Sequence, residues 1–140
     1  MYMTARTDDY DEIVRVVQLY LDAYNENDLT KLKEAFDENA WIYFIDAEGT
    51  LQKGVMCERF EASLLNNSLR KYLGDVVGRI ISVTQVGDAA SVQLSFDSAS
   101  DQSAGWIDFH NLLRINGDWK ITNKTASHSS RQAWSVILGH

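Results

Sequence analysis

Two amide side chains fall on either side of a turn signal near the end of the chain. Asn111 and Asn123 flank Asn116-Gly117 in the stretch NLLRINGDWKITNK, which alternates polar and apolar residues as a β-hairpin does. Amides offer both donors and acceptors, so two of them on one sheet face would suit a polar heterocycle or a carbonyl. The alternative is that they bond to each other, to backbone or to a buried water, because buried polar groups need partners.

Acid–base chemistry has three candidates, Asp108, His110 and His128, with Asp46 as a further suspect. A general acid or base must face its substrate with a tuned pKa. His128 follows the last strand and can bend inward there, although a solvated histidine is the ordinary alternative. His110, His128 and the terminal His140 lack the spacing of a metal site, since zinc needs three or four convergent ligands. We therefore predict no metal and no cofactor.

Aromatic residues are the second group of candidates. Tyr20 and Tyr24 lie one helical turn apart, and Tyr43 and Phe60 come from a predicted strand and a later helix. An aromatic lining with a few polar tips is what a small-molecule pocket requires, so these four are predicted ligand-binding residues. The alternative is that they are plain core, as aromatics at helical spacing usually are.

Composition excludes several classes of partner. The net charge is −7, the pI is near 4.8 and the 13 Lys and Arg are scattered, which argues against nucleic acid and against an anionic membrane surface. The single cysteine, Cys57, allows no intrachain disulfide and fits a reducing compartment. No apolar run reaches the length of a membrane span, and the acidic start MYMTARTDDYDE is unlike a signal peptide. We expect a cytoplasmic protein.

The elements that must position these residues follow from periodicity. Helical spacing predicts a helix over 8–26, a second one carrying Leu29, Leu32 and Phe36 on one face, and a third over about 53–65. Runs of β-branched and aromatic residues, or alternating ones, predict strands over 40–45, 79–86, 90–96, 105–115 and 118–126. Helices followed by a meander predict an α+β fold, with about three N-terminal helices packed on a curved antiparallel sheet. We expect one domain over 1–140, with flexible ends at 1–7 and 130–140.

Two loops compete for the register of the last hairpin. A two-residue turn at Asn116-Gly117 would pair Arg114 with Trp119 and mix a charge into the apolar face. A three-residue loop with a glycine bulge pairs Leu113 with Trp119 instead, and we favour it. It turns Asn111 and Asn123 toward the helices. Asp108 and His110 then lie on the outer face of the sheet, which suits pairing with a second subunit.

The order of elements resembles the nuclear transport factor 2-like superfamily, the cystatin-like cone fold. The resemblance is closer to its "putative lumazine-binding" branch, through DYDEIVRVVQLYLDAYNENDLTKLKEAFDENA at 9–40 and WIDFHNLLRINGDWKITNK at 106–124. The superfamily includes SnoaL-like cyclases, ketosteroid isomerases and dehydratases, in which Asp, His or Tyr inside the cone act as acid and base. The favoured register turns Asp108 and His110 away from the cone, and so departs from that pattern.

The first hypothesis is therefore a binding module that holds a small, partly aromatic molecule between helices and sheet and forms a homodimer through the outer sheet face. One alternative is an isomerase- or dehydratase-type enzyme, and another is a protein-interaction module that uses the cone as a scaffold.

Overall fold

The three helices predicted from the sequence are present, but two of them are shorter at one end than predicted. The computed structural model describes residues 7–67, 71, 73–100 and 105–128, so the termini predicted to be flexible lie outside the described residues except for Thr7. Helix α1 spans Thr7–Glu26, and its apolar face is buried. Helix α2 spans Leu29–Ala35 and begins behind Asp28, whose carboxylate accepts a hydrogen bond from the Lys31 N–H at 3.1 Å. Phe36, predicted as helical, is instead the first residue of a strand.

A single six-stranded sheet contains all the strands of the described chain. The strands are β1 (Phe36–Ile45), β2 (Leu51–Val55), β3 (Val76–Val86), β4 (Ala89–Ser98), β5 (Gly105–Ile115) and β6 (Asp118–His128). Their spatial order is β2-β1-β6-β5-β4-β3. The predicted α+β cone is confirmed, with one difference. The sheet is mixed rather than wholly antiparallel, because β1 pairs with β6 in parallel.

Strand β2 and helix α3 divide a segment that the sequence predicts as one helix. Helix α3 spans Met56–Asn66 and ends at Asn67, which takes a left-handed conformation with φ 55°. Residues 51–55 pair with β1 across the turn at Glu48-Gly49 and are therefore extended. Pairing with a neighbouring strand overrides the local helical signal at residues 53–55, the part of this strand that lies within the predicted helix.

The core lies between α1 and the inner face of the sheet. Gly78 on β3 allows the closest approach, because a methyl group there would overlap the side chain of Leu21 on α1. Tyr20 packs against Phe36 and Phe96 with ring centroids 5.4 Å apart in both cases. These contacts fix α1 across the sheet, so its tyrosines have defined neighbours on β1, β4 and β5.

The last hairpin has the two-residue turn. Asn116 and Gly117 have φ angles of 51° and 88°, and two successive positive values are the signature of a type I′ turn. Arg114 therefore pairs with Trp119. The three-residue loop, which would have paired Leu113 with Trp119, is wrong.

The contacts of Arg114 explain why its charge, which counted against the two-residue turn, is tolerated at this position. Its guanidinium lies over the Trp119 ring at 5.2 Å from the centroid. It also donates to Asp9 on α1 at 2.7 Å and to Asp88 in the β3–β4 turn at 2.8 Å. The charge is thus paired at the edge of the apolar face, which the strand pattern by itself does not reveal.

A β-bulge further along the hairpin changes the register again. Thr122 is the extra residue, and its hydroxyl donates to the Asn111 carbonyl at 3.0 Å. Beyond it Asn111 pairs with Asn123 and His110 pairs with Lys124. The bulge therefore lets Lys124 share a face with Ile121, although the two are an odd number of residues apart.

The two-residue turn reverses the predicted faces of β5, and the bulge reverses the predicted faces of β6 beyond Thr122. Asp108 and His110 have no exposed surface and point toward the helices, contrary to the prediction that they lie on the outer face. Phe109 and Asn111 point outward instead. The inward pair of amides was therefore a wrong prediction.

Candidate functional site

A cavity of about 580 Å³ lies between α1, α3 and the inner face of β1, β5 and β6. Its lining is mainly aromatic and aliphatic: Tyr20, Tyr24, Ile42, Phe44, Met56, Arg59, Phe60, Ala62, Ser63, Asn66, Trp106, Lys124 and Ala126. We call the end formed by Tyr20, Trp106 and Lys124 the buried end, because these side chains are almost inaccessible. The open end is formed by the exposed residues Arg59 and Asn66. The size is that of a pocket for a small organic molecule.

Lys124 is the principal charged group at the buried end. Its side chain is only 3% exposed, and its Nζ donates to the Tyr20 hydroxyl at 2.8 Å. The ammonium also lies over two aromatic rings, 5.0 Å from the centroid of Tyr20 and 5.3 Å from that of Trp106. Such cation–π contacts partly replace the water that a buried ammonium loses. The lysine therefore presents a desolvated cation to the cavity.

Asp108 and His110 lie behind this lysine. The nearer Asp108 oxygen is 3.7 Å from Lys124 Nζ and 3.1 Å from His110 Nε2. The second Asp108 oxygen and His110 Nδ1 are buried without a hydrogen-bond partner among the described residues. Neither residue lines the cavity. They form a buried polar network whose contact with the cavity runs through Lys124 and Tyr20.

Burial sets the titration of the two residues that do reach the cavity. It raises the pKa of Tyr20 well above the ordinary value, and the nearby Asp108 charge acts in the same direction. Burial lowers the pKa of Lys124, while the Asp108 charge opposes that effect. Tyr20 therefore stays a neutral phenol, able to donate or accept a hydrogen bond.

Arg59 supplies a second cation at the open end. Its guanidinium lies 5.5 Å from the centroid of the Phe44 ring and donates to the Lys53 carbonyl at 3.3 Å. Gly54 leaves the space that this side chain occupies, since a Cβ there would lie 2.8 Å from Arg59 Cδ. The packing holds the guanidinium beside the cavity.

Three of the six predicted ligand-binding residues line the cavity. Tyr20 and Tyr24 do so from α1 and Phe60 from α3. Asn111 and Asn123 lie outside it and bond to each other at 2.9 Å, the alternative considered for them from the sequence. Tyr43 is also outside the cavity, on the outer sheet face, where it stacks on Trp41 at 6.3 Å.

The acid–base candidates divide differently. Asp108 and His110 are buried inside the fold, as described above, rather than exposed. Asp46 forms the β1–β2 turn: its carboxylate accepts from the Thr50 and Glu48 N–H groups at 2.9 and 3.0 Å. The Thr50 bond is the main cause of its lowered pKa. The side chain of His128 lies outside the described part of the chain.

Lys124 and Arg59 are the two charged residues of the described lining, and sequence reasoning missed both. A hairpin without a bulge keeps strict alternation from Trp119 onward, which would place Lys124 on the outer face. Helical spacing places Arg59 on the polar face of α3, away from Met56, Phe60 and Leu64. The sequence did contain a signal for the correct register. The dipeptide Asn-Gly is typical of a type I′ turn, and such a turn at Asn116-Gly117 brings Asp108 and His110 to the inner face of the sheet.

Within the described residues, no group of three or more His, Cys, Asp and Glu side chains is arranged to hold a metal ion. In the same part of the chain, no helix is long and apolar enough to cross a bilayer.

The family profile described as "Putative lumazine-binding" matches residues 8–127. No curated protein matches the sequence. Solved structures do. An NTF2-like protein of unknown function from Shewanella baltica OS155 is 26% identical with a TM-score of 0.75, over 90% of this chain and 98% of that one. Another from Methylobacillus flagellatus KT is 21% identical with a TM-score of 0.76, over 93% and 99% of the two chains. A cystatin-like protein of unknown function from Nostoc punctiforme PCC 73102 is 14% identical with a TM-score of 0.68, over 91% and 96%.

Proposed function

The chain belongs to the family described as "Putative lumazine-binding", within the nuclear transport factor 2-like fold, and on that premise we propose that it binds a small, partly aromatic molecule in its cavity. The observation that carries the proposal is the composition of the lining. Rings from Tyr20, Phe60 and Trp106 surround the space, and polar groups are few. A cavity of about 580 Å³ accommodates a planar bicyclic compound with room to spare.

Binding is tested by calorimetric titration with lumazine, the compound in the family's description, and with naphthalene derivatives of similar size. We expect saturable binding in the wild type. Ala126 lines the cavity from β6, so Ala126→Phe fills it and should abolish binding. The matched control is Ala89→Phe, because Ala89 is exposed at the start of β4 and does not line the cavity. If all these probes fail to bind the wild type at millimolar concentration, or if Ala126→Phe binds them unchanged, the proposal is wrong.

Proton-transfer catalysis of the isomerase or dehydratase type is the second candidate. The buried pair of Asp108 and His110 favours it, since both contact the lysine network rather than solvent. A proton would reach the ligand through Tyr20 or Lys124, which line the cavity. Substrate turnover that is lost in Asp108→Asn and His110→Asn, while binding persists, would support this candidate; turnover unaffected by both changes would contradict it.

The outer sheet face supports a proposal about assembly. Trp41, Tyr43 and Phe109 are 40%, 37% and 44% exposed, and Tyr43 and Phe109 both pair with Thr125 across neighbouring strands. They form a contiguous aromatic patch, which we call the outer aromatic patch. A patch of this kind is typical of protein interfaces. We propose that two copies of the chain pair through it as a homodimer.

We also propose that the protein works in the cytoplasm. Its single cysteine, Cys57, is a buried thiol whose pKa is raised by burial. A free thiol of this kind fits a reducing compartment.

A further inference from the structure

We propose that the molecule held in the cavity carries an anionic oxygen, as an aromatic carboxylate does, and that Lys124 and Arg59 select it. This inference rests on the proposed binding function and names the chemical class of its ligand.

The first argument for an anionic ligand is the sign of the charges that line the cavity. Among the described residues that line the cavity, Lys124 and Arg59 are the two charged side chains; both are cationic, and none of the others is Asp or Glu. The chain as a whole has a net charge of −7, so this local excess of positive charge runs against the general balance. The charge along the cavity lining is thus opposite in sign to the net charge of the chain, and it favours an anionic ligand.

The second argument for an anionic ligand is that Lys124 has hydrogen-bond donors to spare within the described chain. An ammonium has three N–H donors. Among the described residues it makes one hydrogen bond, to Tyr20 at 2.8 Å, since the Asp108 oxygen at 3.7 Å is beyond hydrogen-bonding distance. A buried ammonium with unsatisfied donors is costly, and a ligand oxygen in the cavity would satisfy them.

Asp108 explains how the cation persists without competing for the ligand. Burial alone would favour the neutral amine of Lys124, but the Asp108 charge raises the pKa of that amine and so favours the ammonium. Asp108 itself has no exposed surface and does not line the cavity. A ligand therefore contacts the ammonium and not the carboxylate.

Arg59 completes the recognition at the open end. Its guanidinium is exposed yet positioned by Phe44 and by the Lys53 carbonyl. Its charge also acts at the buried end, where it adds to burial in lowering the pKa of Lys124, so it attracts an anion held beside that lysine. We expect Lys124 to provide most of the discrimination, because it is desolvated, and Arg59 to provide the smaller part.

The test compares two ligands of nearly the same shape, 2-naphthoate and 2-naphthamide, by calorimetric titration. We expect the wild type to bind the carboxylate at least about tenfold more tightly, as a hydrogen bond to a charged group implies. In the double variant Lys124→Met/Asp108→Asn the preference should fall to about threefold or less. The double change removes both buried charges together, so the protein is not left with an unpaired carboxylate. Thermal unfolding checks that it folds.

Arg59 gives a second variant in which folding is not at stake. Arg59→Met, at an exposed position, should reduce the preference for naphthoate partially. Arg79→Met is the matched control, because Arg79 is exposed on β3, does not line the cavity and loses the same charge. It should leave the preference unchanged.

The outcomes separate the two proposals. Equal affinity for naphthoate and naphthamide overturns the anion inference and leaves the binding function standing. A naphthoate preference that survives both Lys124→Met/Asp108→Asn and Arg59→Met also overturns it. Binding of neither compound, nor of lumazine, overturns both.

Discussion

The Lys124 ammonium and the Tyr20 hydroxyl form a 2.8 Å hydrogen bond between β6 and α1 at the buried end of the cavity. Both side chains are almost fully buried, and both line the cavity. The bond therefore both stabilises the contact between α1 and the sheet and fixes the positions of two polar groups that a ligand in the cavity would contact.

Replacing Tyr20 by Phe should destabilise the fold by about 1.5–3 kcal/mol, the range for a hydrogen bond to a charged group, because the Lys124 ammonium would lose its acceptor. Urea unfolding near neutral pH measures the free energy. Tyr10→Phe is the control: Tyr10 is 47% exposed, and its variant should stay within about 0.5 kcal/mol of the wild type. Equal stability of the two variants would contradict the buried bond.

The lowered pKa of Lys124 predicts a specific pH dependence. Between its folded pKa and the ordinary value of 10.5, the folded state holds fewer protons at this site than the unfolded state. The stability that this site contributes should therefore rise with pH across that window. The free-energy difference between the wild type and Lys124→Met/Asp108→Asn should become more favourable to the wild type as the pH rises toward about 10.

The measurement stays below about pH 10 so that the titration of Tyr20 does not contribute to the free-energy difference. The pKa of Tyr20 is raised by burial and by the Asp108 charge, so its contribution to stability is lost only as the pH rises above about 10. A free-energy difference that is constant or falls as the pH rises toward about 10 would refute the lowered pKa of Lys124.

The type I′ turn can be tested at Asn116, whose φ of 51° is unfavourable for most side chains. Asn116→Ala should cost about 1–2 kcal/mol, because alanine lacks the asparagine side chain that makes this conformation tolerable. Asn116→Gly should cost little, since glycine adopts positive φ freely. Denaturant unfolding of both variants gives the comparison. Were alanine and glycine equivalent at this position, the turn would be of another type and the inward placement of Asp108 would fall with it.

The proposed homodimer predicts that a charge in the outer aromatic patch disrupts assembly. Phe109→Asp should give a monomer in sedimentation equilibrium at concentrations where the wild type is a dimer, because a buried, unpaired carboxylate opposes association. Thr84→Asp is the control, at an exposed position on β3. A monomeric wild type at high concentration would disprove the pairing.

How far sequence reasoning reached can be seen from the last hairpin. The strands and their Asn116-Gly117 turn follow from alternation and turn chemistry, and the fold class follows from the order of elements. The facing of Asp108 and His110 does not, because the two-residue turn that sets it depends on a distant partner: Asp9 on α1 pairs with Arg114 and makes that turn acceptable. The facing of Lys124 depends in addition on the bulge at Thr122, which no local pattern predicts.

The residues of the cavity likewise include some that the sequence identifies and some that it does not. Tyr20, Tyr24 and Phe60 could be selected because helical spacing puts them on apolar faces. Lys124 could not be selected in this way, because a lysine in an alternating strand is expected to face solvent unless its counter-ion is known. That counter-ion, Asp108, approaches Lys124 from the neighbouring strand only in the bulged register.

The most direct test of the central claim observes a cavity residue during binding. Met56 lines the cavity and is the only one of the three methionines that does so among the described residues. With methyl-labelled methionine, the Met56 signal, assigned by Met56→Leu, should shift saturably on addition of 2-naphthoate or lumazine. It should not shift in Ala126→Phe. Saturable binding that leaves the Met56 methyl unmoved, or no binding of either compound at millimolar concentration, would contradict the account.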